Sequence, residues 1–99
     1  IIMLPAAITH FVEQLINETR TKIINWKYIS DSDEVNLNYK EMKVNVGYEF
    51  DFNQEVGVYK IQIAQSDGRV FYFAVSEFDA GYINLKNLYS EAQASDFHF

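Results

Sequence analysis

From Val44 to Phe52 the chain alternates without a slip: Val44, Val46, Tyr48, Phe50 and Phe52 are apolar, and Asn45, Gly47, Glu49 and Asp51 are not. Alternation of this length makes a strand with one buried and one wet face. It lies within an aromatic-rich run to Val75 that reads as a sheet, and the rest of the chain is read around that sheet.

Downstream, Asn53-Gln54-Glu55 reads as a hairpin loop, and Tyr59, Ile61 and Ile63 then alternate with Lys60 and Gln62. Ser66-Asp67-Gly68-Arg69 carries Asp-Gly, a strong short-range hairpin signal. The next strand, Val70 to Val75, is apolar on both sides: Phe71, Phe73 and Val75 on one, Val70, Tyr72 and Ala74 on the other. Such a strand is central with cover on each side, or it lies at a subunit interface.

Upstream, Ile23 to Ile29 is β-prone, with Ile24, Trp26 and Tyr28 on one side, and Ser30 to Glu34 reads as a turn. Val35, Leu37 and Tyr39 alternate, but from Met42 the apolar positions switch from odd to even. A one-residue slip turns every side chain over, so a tight turn or a bulge must absorb it near Lys40-Glu41. A turn or sharp bend is the reading taken.

Helices flank the sheet. Pro5 suits a first helical turn, and Ile8, Phe11, Val12, Leu15 and Ile16 recur at helical spacing, predicting a helix from Pro5 to Thr19. Asp79 is a candidate N-cap for a second helix that carries Tyr82, Leu85, Leu88, Tyr89 and Ala92 and runs to Ala94. Phe97 and Phe99 follow in a tail that must dock or stay exposed. The expected fold is α+β, one domain over residues 1–99: an N-terminal helix, a four- to five-stranded mainly antiparallel meander and a C-terminal helix.

Composition narrows the function classes. With 99 residues, 48% hydrophobic and 16% aromatic, the chain has the means to fold and room for one core. There are no cysteines, which removes thiol chemistry and favours a reducing compartment. Ile1 to Ala7 has no basic region and only a short apolar run, so neither a signal peptide nor a membrane span is read there, and a cytoplasmic location is expected. Net charge is −6 and the eight Lys/Arg residues are scattered, so direct nucleic-acid binding is not expected.

Reaction chemistry is thin. Glu49 and Asp51 share the polar side of one strand, which acid/base or cation chemistry can use, but solubility alone selects the same pattern. Asp31, Asp33 and Glu34 open like a calcium loop, yet the positions that need Gly and Glu hold Asn36 and Met42. His10 has Glu13 and Gln14 one helical turn away, and His98 is the only other histidine; a metal site needs more ligands than that. Nucleophile-elbow, P-loop and dinucleotide motifs are absent. No catalytic, cofactor-binding or metal residue and no cofactor is assigned. Trp26, Tyr48, Phe50, Phe52, Tyr59, Phe71 and Phe73 can either line a ligand groove or fill a dry core, and core is the reading taken.

Phe11-Val12-Glu13 with Leu15, then Thr19, Ile24 and Trp26, resembles the opening of small uncharacterised bacterial helix-then-sheet proteins, often associated with phage or mobile elements. The resemblance covers the first quarter of the chain. It implies a bacterial or phage cytoplasmic setting and transfers no catalytic residue.

The expected function is a small non-catalytic protein-interaction domain, self-associating as a homodimer, with Val70, Tyr72 and Ala74 as candidate interface. A second expectation is an acidic immunity-like or anti-defence inhibitor of a basic protein, using Asp31, Asp33, Glu34, Glu49 and Asp51. A third is a small-ligand-binding or enzymatic domain with an aromatic pocket. A protein partner or a second copy is expected, and neither nucleic acid nor membrane.

Overall fold

The computed structural model describes residues 5–97. Along the chain come α1 (Ala6–Arg20), β1 (Lys27–Ile29), β2 (Glu34–Tyr39), β3 (Met42–Asp51), β4 (Val56–Ala64), β5 (Val70–Ser76) and α2 (Tyr82–Ser95). The strands pair in sequence order into one antiparallel meander. This is the expected α+β architecture, with a helix before and after the sheet.

Each tight connection has a local cause. Tyr39 faces Met42 across the β2–β3 ladder, leaving Lys40 and Glu41 as a two-residue turn at φ 46° and 68°. Two successive left-handed residues give the turn whose twist matches the flanking strands. It also absorbs the parity switch, because partners across a hairpin share a face. Between β4 and β5, Gly68 N–H donates to the Gln65 carbonyl at 3.0 Å and Gln65 N–H to the Arg69 carbonyl at 2.8 Å. Gly68 takes φ 92°, which a side chain disfavours, so the Asp-Gly signal names a three-residue loop with a bulge. The Asp51 carboxylate closes the β3–β4 loop by accepting from the N–H groups of Asn53 (2.9 Å) and Gln54 (3.2 Å).

Both helices lie on one side of the sheet. Val12, Leu15 and Ile16 of α1 and Leu85, Leu88, Tyr89 and Ala92 of α2 share a buried cluster with Val35, Leu37, Val44, Val46, Ile61, Ile63 and Val75. The odd positions of β2 and β4 and the even positions of β3 supply the sheet's share, as the alternation requires. Tyr39 adds a polar tie to α1: its hydroxyl donates to Glu18 at 2.7 Å and accepts from Gln14 at 2.9 Å. Arg20 and Glu91 join the helices at 3.3 Å.

Three expectations need correction. The strand expected over Ile23–Ile29 shrinks to Lys27–Ile29. Lys22 turns left-handed at φ 63°, and Ile23 N–H donates back to the Glu18 carbonyl at 2.9 Å, so the end of α1 consumes that stretch. Trp26 is buried there; its indole N–H donates to Thr19 Oγ1 at 2.9 Å, and the Thr19 hydroxyl donates to the Leu15 carbonyl at 2.6 Å. Secondly, the buried side of β3 fades beyond Tyr48. The β3–β4 hairpin outruns the helices, and Phe50 and Phe52 stack edge-on at 5.0 Å in the open. Thirdly, Asp79 does not cap α2. Gly81 holds the N-cap position at φ 96°, and Asp79 turns back to the end of β5. Phe97 is exposed, while His98 and Phe99 lie outside the described residues.

Candidate interaction surface

The side of the sheet away from the helices is ordered by register. One row across it reads Lys27, Asn36, Asn45, Gln62 and Tyr72; the next reads Glu34, Gly47, Lys60 and Ala74; a third reads Asn38, Lys43, Ala64 and Val70. Asn36, Asn45 and Gln62 therefore form a carboxamide row, within which Asn45 Nδ2 donates to Asn36 Oδ1. A shallow concavity of about 580 Å³ lies over these residues, lined also by Lys27, Glu34 and Lys43. Toward β5 the polarity falls away. Val70 and Tyr72 are 55% and 57% exposed, and Ala74 is half-buried beside them.

β5 is also an edge: among the described residues only β4 pairs with it. The Gln65–Arg69 bond and the Glu77 N–H to Gly57 carbonyl bond (3.1 Å) fix which β5 residues face β4. Bonded pairs alternate along an antiparallel ladder, so Phe71, Phe73 and Val75 bond to β4. Val70, Tyr72, Ala74 and Ser76 turn their N–H and C=O groups to the open edge. Ser76 is closed off locally. Its N–H donates to Asp79 Oδ2 at 2.8 Å, and its carbonyl accepts from Asp79 N–H at 3.0 Å. The outward backbone left to a partner belongs to Val70, Tyr72 and Ala74, the residues singled out as a candidate interface. Phe71, on the helix side, lines an apolar groove of about 390 Å³ with Ile8, Phe11, Met42 and Ile63.

The acidic residues gather at one end of the sheet. The Asp33 carbonyl accepts from Tyr48 N–H at 3.2 Å, which sets the Asp31–Glu34 turn beside the middle of β3. Glu34 faces Gly47, and Glu49 and Asp51 follow on the same side. They are not a free field of charge. Glu49 pairs with Lys60 at 2.6 Å, and that hydrogen bond raises the lysine's pKa against the opposing effect of burial, helped by the Glu49 charge and then by Tyr72 and Glu34. Asp51 is occupied with the β3–β4 loop.

The aromatic residues considered for a ligand groove are dispersed. Trp26 and Tyr59 are core, Phe50 and Phe52 sit on the hairpin tip, and Phe71 and Phe73 lie toward the β5 edge. Tyr59 instead centres a tyrosine cluster, 5.0 Å from Tyr48, 5.3 Å from Tyr82 and 5.6 Å from Tyr89. Gly57 makes room for it, since a Cβ there would stand 2.8 Å from the Tyr48 hydroxyl. Burial, then neighbouring phenols, raises the pKa of Tyr59; burial, then Tyr28 and Asp33, raises that of Tyr89. These phenols stay protonated at neutral pH.

Among the described residues no cluster of three or more His, Asp or Glu is placed to hold a metal ion, and His10 is exposed on α1. No described helix is long and apolar enough to cross a membrane. No family model, curated protein or solved structure matches the chain. Sequence reasoning missed the carboxamide row and the role of Asp79. The row was readable as outward positions of three alternating strands that hold amides rather than charges. Asp79 was not, since an aspartate before a helix and one closing a strand edge look alike in sequence.

Proposed function

We propose that this protein is a small non-catalytic interaction domain that associates with a second copy of itself through β5. One observation carries the reading: among the described residues β5 is a seven-residue strand, Val-Phe-Tyr-Phe-Ala-Val-Ser, paired on one side and open on the other, with no charge and no proline. Edges are usually blunted by lysine, proline, bulges or short length, because unpaired N–H and C=O groups recruit another strand. β5 has none of these, and its neighbouring apolar side chains are out in water. Burying them with the strand joins backbone pairing to the hydrophobic effect.

Sedimentation velocity over a wide concentration range tests this. Wild type is expected to dimerise, and Tyr72→Asp to sediment as a monomer with unchanged circular dichroism and the melting temperature of wild type diluted to the monomer. A wild type that stays monomeric throughout overturns the proposal. So does a Tyr72→Asp chain that unfolds, because Tyr72 would then belong to the monomer's own core.

The gathering of Asp31, Asp33, Glu34, Glu49 and Asp51 at one sheet end favours a second reading, an acidic inhibitor of a basic protein. Binding of that kind associates fast and weakens with salt. Capture of a basic protein that is indifferent to salt argues against it.

A further inference from the structure

The β5 edge is addressed as well as open. We infer that two copies pair antiparallel about a two-fold axis through Tyr72, and that Asp79 sets this register. The inference rests on the reading that the chain self-associates through β5.

A strand that pairs with its own copy across a two-fold axis must match the reversed sequence. Its bonded pairs can use only residues whose N–H and C=O point outward. Were Ser76 free, the register centred on Phe73 would use the most outward residues, pairing Val70 with the partner's Ser76 and Tyr72 with the partner's Ala74. Asp79 removes that choice, because its carboxylate and N–H already hold both backbone groups of Ser76. The register that spends all the remaining outward residues pairs Tyr72 with the partner's Tyr72, and Val70 with the partner's Ala74.

Side chains agree with this register. On the open side Tyr72 meets its own copy, flanked by Val70 against alanine. On the helix side Phe71 meets the partner's Phe73, an aromatic cross-strand pair. The uncharged segment is bracketed by Arg69 and Glu77. Arg69 is already paired with Asp67 at 2.7 Å, so the start of the strand is neutral and the register rests on the backbone and the cross-strand aromatic pairs. Since Tyr72 ends the row of Lys27, Asn36, Asn45 and Gln62, the pairing joins two such rows through a central pair of tyrosines. The two sheets become one of ten strands.

The chain has no cysteine, so single introduced thiols report the register without background. Val70→Cys, Tyr72→Cys, Phe73→Cys and Ala74→Cys are oxidised mildly and followed on non-reducing gels, each first checked for a wild-type-like melt. Tyr72→Cys alone, and Val70→Cys mixed with Ala74→Cys, are expected to cross-link. Val70→Cys alone or Ala74→Cys alone should react at least about tenfold more slowly, their Cα atoms lying beyond the roughly 7 Å a disulfide spans. Fastest cross-linking by Phe73→Cys overturns the Tyr72-centred register while leaving self-association standing. Dimers by sedimentation with no cross-link at any of these positions overturn β5 pairing altogether. A monomer at every concentration overturns both this inference and the reading beneath it. In Asp79→Ala, which frees Ser76, the fastest position should move from Tyr72→Cys to Phe73→Cys; no change shows that Asp79 does not set the register.

Discussion

The two edges of this sheet are built oppositely. β1 is three residues long, and the end of α2 closes it: Tyr28 N–H donates to Asp96 Oδ2 at 2.9 Å and Trp26 N–H to Ser95 Oγ at 3.1 Å. β5 is seven residues long, and among the described residues its local closure is Asp79 at its far end. One edge spends helix side chains to satisfy its backbone; the other leaves three residues to the outside. The same chain thus blocks strand addition on one side and permits it on the other. Open edges are hazards that folded proteins usually manage, and this asymmetry is what the proposed pairing through β5 builds on.

The comparison can be broken at several strengths. The largest effect is expected from Trp26→Ala, which removes the buried indole that anchors the start of β1. Loss of a buried aromatic costs about 3–5 kcal/mol, measured by urea unfolding. Asp96→Ala should cost about 1–2 kcal/mol by the same assay and speed amide exchange at Tyr28, because a part-buried N–H loses its acceptor. If Tyr28 exchange does not change, α2 does not guard the β1 edge. Tyr72→Lys should change monomer stability by no more than about 0.5 kcal/mol, as exposed positions do, while abolishing association.

Alkaline pH sharpens the contrast most gently. Tyr59, Tyr82 and Tyr89 all have raised pKa values, each first by burial. A phenol that ionises later in the folded chain than in the unfolded one contributes stability that is full below the ordinary value of 10.0 and is lost as pH rises beyond it. Melting temperature should therefore hold up to that pH and fall above it. Tyr89→Phe should make the fall shallower, read by thermal melts across the alkaline range.

Much of this architecture was legible in the sequence because alternation is local. Val35 to Tyr39, Val44 to Tyr48 and Tyr59 to Ile63 each declare a buried side, and Asp67-Gly68 declares the turn. What failed depended on distant pieces. Whether Phe50 is covered depends on how far the helices reach along the sheet. Ile23 and Ile24 favour a strand, but the end of α1 claims them first. The two-sided apolar strand allowed either a central place or an interface, and only the strand order makes β5 an edge. The pattern alone therefore set Val70, Tyr72 and Ala74 on one side of the strand without deciding that this side is exposed, and it held no sign of the closure of Ser76 by Asp79.

The closure of β1 by α2 also bears on how the chain is made. Every strand pairs with its neighbour in sequence, so the sheet can zip as hairpins while the polypeptide is still emerging from the ribosome. Its inner side cannot be dried then, since Leu85, Leu88, Tyr89 and Ala92 come after the last strand, and the acceptor for Tyr28 comes 68 residues after its donor. Until α2 emerges, the nascent sheet has two open edges and a half-covered apolar side. Helix α2 is the late piece that closes the β1 edge and covers the inner side, so a ribosome pausing before it would leave the chain in its most aggregation-prone form.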